Sequence, residues 1–272
     1  MSDTAPAADL TGWRRTPFTG AGHTHDCYEK GRGPGVVLIP ELPGITPEVL
    51  GLAEHLVAAG FTVVVPSPFG TPGKPPTVPY VLGQVTRVCV SAEFRAFARD
   101  AARPFTAYLR AVSRELAART PGRGVGVIGM CFTGGFALAA AVDDVVRAPV
   151  LSQPSLPFPI SGGHRRDLGI SPTELGLVKA RTTGDGLCLL GLRFSADKAA
   201  TTERFAGLRA QLGDAFEVIE LDSAPGNADG FRANAHSVLT AEVREDPPNA
   251  AYAARERMVA FLRENLTPPP AG

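Results

Sequence analysis

The chain has 272 residues, with 27 Lys plus Arg balanced by 27 Asp plus Glu and 44% hydrophobic residues. That length buries a substantial core, and the balanced charge excludes a general electrostatic attraction to nucleic acid or an acidic membrane surface. The amino-terminal region has no apolar signal core, no run is long enough to span a bilayer, and the four cysteines (Cys27, Cys89, Cys131, Cys188) are too scattered for a disulfide framework, so the expectation is a cytoplasmic protein.

In chain order, residues 1–20 are rich in Ala, Thr, Gly and Pro and predict an exposed arm or an edge strand. GVVLIP (35–40), β-branched and bounded by Gly and Pro, predicts a buried strand of a parallel sheet. PEVLGLAEHLVAAG (47–60) has apolar residues near helical spacing, Pro at its start and Gly at its end, and predicts a helix. FTVVVPSPFG (61–70) predicts a second strand running into a loop that the proline-rich residues 71–83 continue. Residues 92–119 predict one long helix, broken or kinked at Pro104. VGVIGM (125–130) predicts a strand and GGFALAAAV (134–142) the helix behind it. APVLSQP (148–154) and LCLLGLRF (187–194) predict strands, TTERFAGLRAQLG (201–213) a helix and FEVIEL (216–221) a strand. AAYAARERMVAFLRENL (250–266) predicts a closing helix before a flexible tail at 267–272. With no repeat and no long linker, 21–266 form a single domain after the arm.

Strands alternating with helices imply right-handed crossovers and a doubly wound, mostly parallel sheet in three α/β/α layers. Working groups in such sheets collect beyond the carboxyl ends of the strands. After VGVIGM stands Cys131, in Gly129-Met130-Cys131-Phe132-Thr133-Gly134-Gly135. Strand, sharp turn and helix make this the layout of a nucleophile elbow, G-x-S-x-G, with a thiol for the hydroxyl and the glycines displaced by one residue. A helix amino end favours a thiolate. The competing interpretation is a small apolar filler beneath a helix. No serine has glycine both two before and two after it. Gly124, Gly126 and Gly129 spell G-x-G-x-x-G, but before and within the strand, where they cannot cradle a dinucleotide.

A thiol nucleophile needs a base, and the base an orienting acid; in this layout they follow in the order nucleophile, acid, His. Of five histidines, His236 lies in a loop after the late strand FEVIEL. Asp197 follows LCLLGLRF and suits the acid better than Asp185 or Asp222. The loop after the first buried strand supplies one oxyanion-hole amide and the residue after the nucleophile the other, nominating the backbone N–H groups of Leu42 and Phe132. Glu41, beside that hole, is unusual for a plain esterase.

PELPGI after the first strand, GMCFTGG at the elbow, Asp197 and His236 together resemble the dienelactone hydrolase family, a cysteine branch of the α/β-hydrolase fold, over roughly residues 20–266. The resemblance implies a Cys131–His236–Asp197 triad, with Glu41 beside the resting thiol and able to take its proton. It implies hydrolysis of a lactone or small ester through a thioester, with no metal or organic cofactor. It also marks a departure: an arginine four residues after the histidine is replaced by Thr240. Arg87 and Arg95 are the candidate substrate-binding cations, with Arg165 and Arg166, in a segment 153–184 that borders the site, as further candidates. The partner expected is a small-molecule lactone or ester, bound by a monomer or homodimer. The same residues also allow a thiol-dependent acyltransferase, a redox-sensing thiol or a non-catalytic binding module. His23-Thr24-His25-Asp26-Cys27 is read as alternation on an early strand, not a metal site, and Cys89 and Cys188 as buried filler.

Overall fold

The computed structural model describes residues 4–268. Eight strands form one sheet: β1 (Arg14–Gly20), β2 (His23–Gly31), β3 (Gly35–Ile39), β4 (Thr62–Ser67), β5 (Val125–Met130), β6 (Val146–Ser152), β7 (Leu189–Phe194) and β8 (Phe216–Leu221). Their order is β1-β2-β4-β3-β5-β6-β7-β8. β1 and β2 form an antiparallel hairpin, β2 pairs antiparallel with β4, and every later pairing is parallel. The helices are α1 (Pro47–Ala58), α2 (Val78–Cys89), α3 (Pro104–Arg119), α4 (Gly134–Ala140), α5 (Gly162–Arg166), α6 (Pro172–Gly184), α7 (Thr202–Leu212) and α8 (Ala250–Leu266).

Strand alternation sorts the core into two layers. Val36, Leu38, Ile128 and Met130 point to one face, under Leu52 and Leu56 of α1 and Met258 and Phe261 of α8. Val37, Ile39, Val125 and Val127 point to the other, under Phe105, Tyr108 and Leu109 of α3 and Phe136 and Leu138 of α4. Side-chain oxygens set several helix starts: Thr46 accepts from the Val49 N–H, and Asn249 from the N–H groups of Ala251 and Tyr252.

Three expectations are corrected. Helix α3 begins at Pro104, and 92–103 are irregular; Arg103 is extended, as the residue before proline must be. Proline therefore starts a helix rather than kinking a longer one. The prolines of 71–83 do not keep that stretch a loop: α2 starts at Val78 with Pro79 in its first turn, although only Val88 of this helix is buried. Cys188 is exposed and Cys89 half-buried, because one precedes the first paired residue of β7 and the other ends the surface helix α2. Cys27, by contrast, is buried beneath the hairpin against Tyr108. The edge-strand alternative for 1–20 is realised by β1, whereas four residues of the expected tail, 269–272, lie outside the described residues. Among the described residues no helix is long and apolar enough to cross a membrane.

Candidate active site

The carboxyl ends of β3, β5, β6 and β7 deliver Glu41, Cys131, Gln153 and Asp197 to one rim of the sheet, and the loop after β8 delivers His236. Cys131 follows the last residue of β5 and has φ of 51°. That left-handed conformation costs a non-glycine residue about 1–2 kcal/mol and turns the side chain out of the strand line. The turn is tight enough that a Cβ on Gly129 would stand 2.4 Å from the Thr133 carbonyl oxygen. A Cβ on Gly134 would stand 2.6 Å from the Cα of Pro154. These contacts explain the displaced glycine pattern: close approach is demanded at 129 and 134, leaving position 133 free to carry a side chain.

Thr133 uses that freedom. Its buried hydroxyl accepts from the Met130 N–H at 3.0 Å. Its single proton is shared among the carbonyls of Met130, Ile39 and Pro40, at 2.9, 3.2 and 3.2 Å. It thereby ties the elbow to the end of β3, where the Leu42 loop begins. The Leu42 backbone N–H has no acceptor among the described residues. Phe132 is fully buried, with Phe94 and Phe69 edge-on at centroid distances of 5.3 and 5.9 Å.

Asp197 and His236 meet across 39 residues of sequence: His236 Nδ1 lies 2.7 Å from Asp197 Oδ2. The Cys131 sulfur lies near enough to the ring for its charge to act on it. Burial works against a charged imidazole, but the facing sulfur and the Asp197 carboxylate outweigh it and push the His236 pKa up to about 11. Burial would likewise raise Asp197. The hydrogen bond with His236 and the N–H groups of Ala199 and Ala200 prevail and hold it below the usual carboxylate range. Ser155, which the sequence did not single out, places its Oγ 3.9 Å from the Cys131 Sγ, while its N–H donates to the Cys131 carbonyl at 3.0 Å. An open depression of about 690 Å³ is lined by Ala196, Asp197, Lys198, Ala199, Ala233, Asn234 and His236.

Glu41 is buried on the same rim but does not hydrogen-bond the thiol. Its Oε2 accepts from Ser237 Oγ at 2.8 Å and Gln153 Nε2 at 3.3 Å, and its Oε1 accepts from Thr240 Oγ1. Glu41, expected beside the resting thiol, takes its hydrogen bonds from three neutral donors, two of them on the segment that carries His236. Gln153, fully buried with φ of 36°, is anchored by its N–H to the Leu192 carbonyl at 2.7 Å. Gln153 and Ser155 had a signal in the sequence, since both follow a buried strand at its carboxyl end.

None of the candidate cations lines the depression beside His236. Arg95, itself with φ of 46°, donates to the Ala102 carbonyl at 3.3 Å. It borders a separate depression with Arg103, Arg110 and Glu174. Arg87 is exposed in the last turn of α2. Arg165 is committed to Glu203 at 2.9 and 3.2 Å, and Arg166 is exposed. The segment after Gln153 is pinned by a buried guanidinium: Arg204 donates to the carbonyls of Pro154, Pro157, His164 and Asp167. Burial pushes the Arg204 pKa down to about 10, still charged at neutral pH.

A family model described as "Dienelactone hydrolase family" matches residues 24–266. No curated protein gives a significant sequence match. Among solved structures, the chain is similar to a dienelactone hydrolase-like promiscuous phosphotriesterase from metagenomic libraries, at 17% identity and a TM-score of 0.62, over 93% of this chain and 98% of that one. It is similar to a dienelactone hydrolase from Anabaena variabilis, at 15% identity and a TM-score of 0.58, over 93% and 98%. It also resembles the α/β hydrolase GrgF from Penicillium, at 14% identity and a TM-score of 0.60, over 94% and 99%. At these identities the likenesses show the fold, an α/β-hydrolase sheet with helices on both faces.

Proposed function

The chain belongs to the dienelactone hydrolase family, and on that premise we propose that it hydrolyses a small ester or lactone through a thioester on Cys131. The supporting observation is His236, whose ring lies 2.7 Å from the Asp197 carboxylate and is held charged by that carboxylate and the nearby Cys131 sulfur.

The chemistry follows from that arrangement. In the resting pair His236 already holds the Cys131 proton, and Asp197 fixes the ring through Nδ1, leaving Nε2 for the sulfur. The sulfur attacks the substrate carbonyl carbon, and the carbonyl π electrons move to oxygen. The Leu42 and Phe132 N–H groups receive the oxyanion. As the tetrahedral centre collapses, its C–O bond breaks and the leaving alkoxide or enolate takes the proton from His236. Water then attacks the thioester while His236 accepts a water proton. The C–S bond breaks, the acid departs and the thiolate–imidazolium pair is restored.

In this scheme Glu41 is a positioning residue. It holds Ser237, next to His236, and Thr240 on the same segment. No arginine lies on the depression beside His236; its lining cation is Lys198. We therefore assign a compact ester or lactone whose recognition does not depend on Arg87 or Arg95.

Intact-mass and peptide mass spectrometry after rapid mixing with p-nitrophenyl acetate tests the proposal. A single acetyl group is expected on Cys131, with hydrolysis accelerated over Cys131→Ala. Acylation at another residue, or none during turnover, overturns it. Product analysis with added alcohols or thiols separates hydrolysis from acyl transfer.

A further inference from the structure

At the opposite side of the Phe94 cluster, β2 and the α2–α3 connection bring together three side chains that the ester chemistry does not use. His23 and His25 are two apart on β2, so strand alternation sends both to one face. Their rings lie nearly parallel, 7° apart, with centroids separated by 6.4 Å. Glu93, 68 residues after His25, directs Oε1 at both: 2.8 Å from His25 Nε2 and 3.5 Å from His23 Nδ1. One ligand atom from each residue lies within 4.8 Å of the others.

We propose that His23, His25 and Glu93 form a site for a divalent transition ion of the zinc class. Zinc takes imidazole nitrogen and carboxylate oxygen at about 2.0–2.2 Å in tetrahedral geometry, so adjacent ligand atoms should stand about 3.3 Å apart. The two separations to Glu93 Oε1, 2.8 and 3.5 Å, bracket that spacing. Small rotations of the carboxylate and of the half-exposed His23 ring suffice to admit an ion. Two imidazoles and one carboxylate also suit this class better than the harder calcium or magnesium ions, which favour oxygen.

The surroundings support a built position. His25 stands edge-on against the stacked rings of Tyr108, at 4.9 Å and 89°, and Phe105, at 5.9 Å and 76°. Side-chain exposure falls from 29% at His23 to 14% at His25, so the cluster is closed on one side and open on the other. Three protein ligands and an open side leave the fourth tetrahedral position to water. The ion would fasten the antiparallel hairpin to the irregular residues 92–103, which lack a helical or strand hydrogen-bond ladder. Phe94, next to Glu93, packs on Phe132, so this fastening stands one residue from the packing that supports the elbow.

The test is zinc titration by calorimetry on the full chain carrying Cys131→Ala, which removes zinc capture by the active-site thiol. One ion per chain is expected. Because changes around ligands alone cost 10–100-fold in affinity, His23→Ala or Glu93→Gln should each lower affinity by about 100-fold. The thermal midpoint should rise by about 5–10 °C at a hundredfold excess of zinc over the dissociation constant. Cobalt should give visible bands without a sulfur charge-transfer band. No binding tighter than about 0.1 mM, a sulfur charge-transfer band, or an isotherm unchanged in both variants overturns the proposal. His23 is the more exposed histidine, and Glu93→Gln retains shape, so folding of the variants is checked independently by circular dichroism.

Discussion

Two carboxylates are buried on the same rim in different company. Asp197, at the end of β7, faces an imidazole that carries charge through neutral pH. Glu41, at the end of β3, faces two hydroxyls and an amide. Net charge sits on the partner in one region and is absent from the partners in the other. A buried carboxylate paired with a titrating ring can stabilise that ring's changing charge during reaction, whereas one held by neutral donors fixes the position of the chain that bears them. The family resemblance placed Glu41 beside the thiol; in the structure its hydrogen bonds go to Ser237, Thr240 and Gln153.

The largest expected break comes from removing what Asp197 serves. Cys131→Ala and His236→Ala should each lower kcat/KM for p-nitrophenyl acetate or a simple enol lactone by about 10³-fold or more, measured against the folded parent protein. An unchanged rate in either variant rules out the thioester route. Histidine-selective NMR on Cys131→Ala adds a second readout. In the parent, His236 is raised above its ordinary value, so the stability from its charge is complete below pH 6.5 and is lost as pH rises through about 11. Losing the sulfur charge should move that titration to lower pH.

Asp197→Asn should be the next largest, a loss of about 10³-fold in kcat with little change in KM, because the amide favours the wrong ring tautomer. Asp197 is held low, so its charge-dependent stability is present above the unfolded carboxylate range and fades as pH falls through the depressed value. The acid limb of the parent's unfolding profile should therefore flatten in this variant.

Glu41→Gln separates the two regions most sharply. It presents one acceptor oxygen and one NH₂ to three donors, so at least one donor loses its bond, at about 1–3 kcal/mol of stability by denaturant unfolding. Turnover should fall by about tenfold through a misplaced His236 segment. A collapse as deep as that of Cys131→Ala would make Glu41 the thiol's base instead.

The same contrast marks what was legible in the chain. Buried strands such as GVVLI and VGVIGM are contiguous runs whose pattern needs no knowledge of their neighbours, and both form where the pattern placed them. The elbow is local too: a strand, a turn and two close approaches within six residues. Arg95 shows the limit. Its charge and position recommended it as a substrate contact, but the break at Pro104 left its segment irregular and turned its guanidinium to the Ala102 carbonyl. Arg204 shows the reverse. The sequence assigned it no part, yet it is fully buried and gathers four carbonyls of the segment beyond Gln153.

By itself the sequence determined the layered parallel sheet and the order of thiol, acid and imidazole along it, because hydrophobic periodicity and turn chemistry act over a few residues. Only the tertiary structure decided which donors hold Glu41, where each arginine ends and that Glu93 meets His23 and His25. Those outcomes depend on side chains tens of residues apart competing for the same buried space, and no local pattern records who wins.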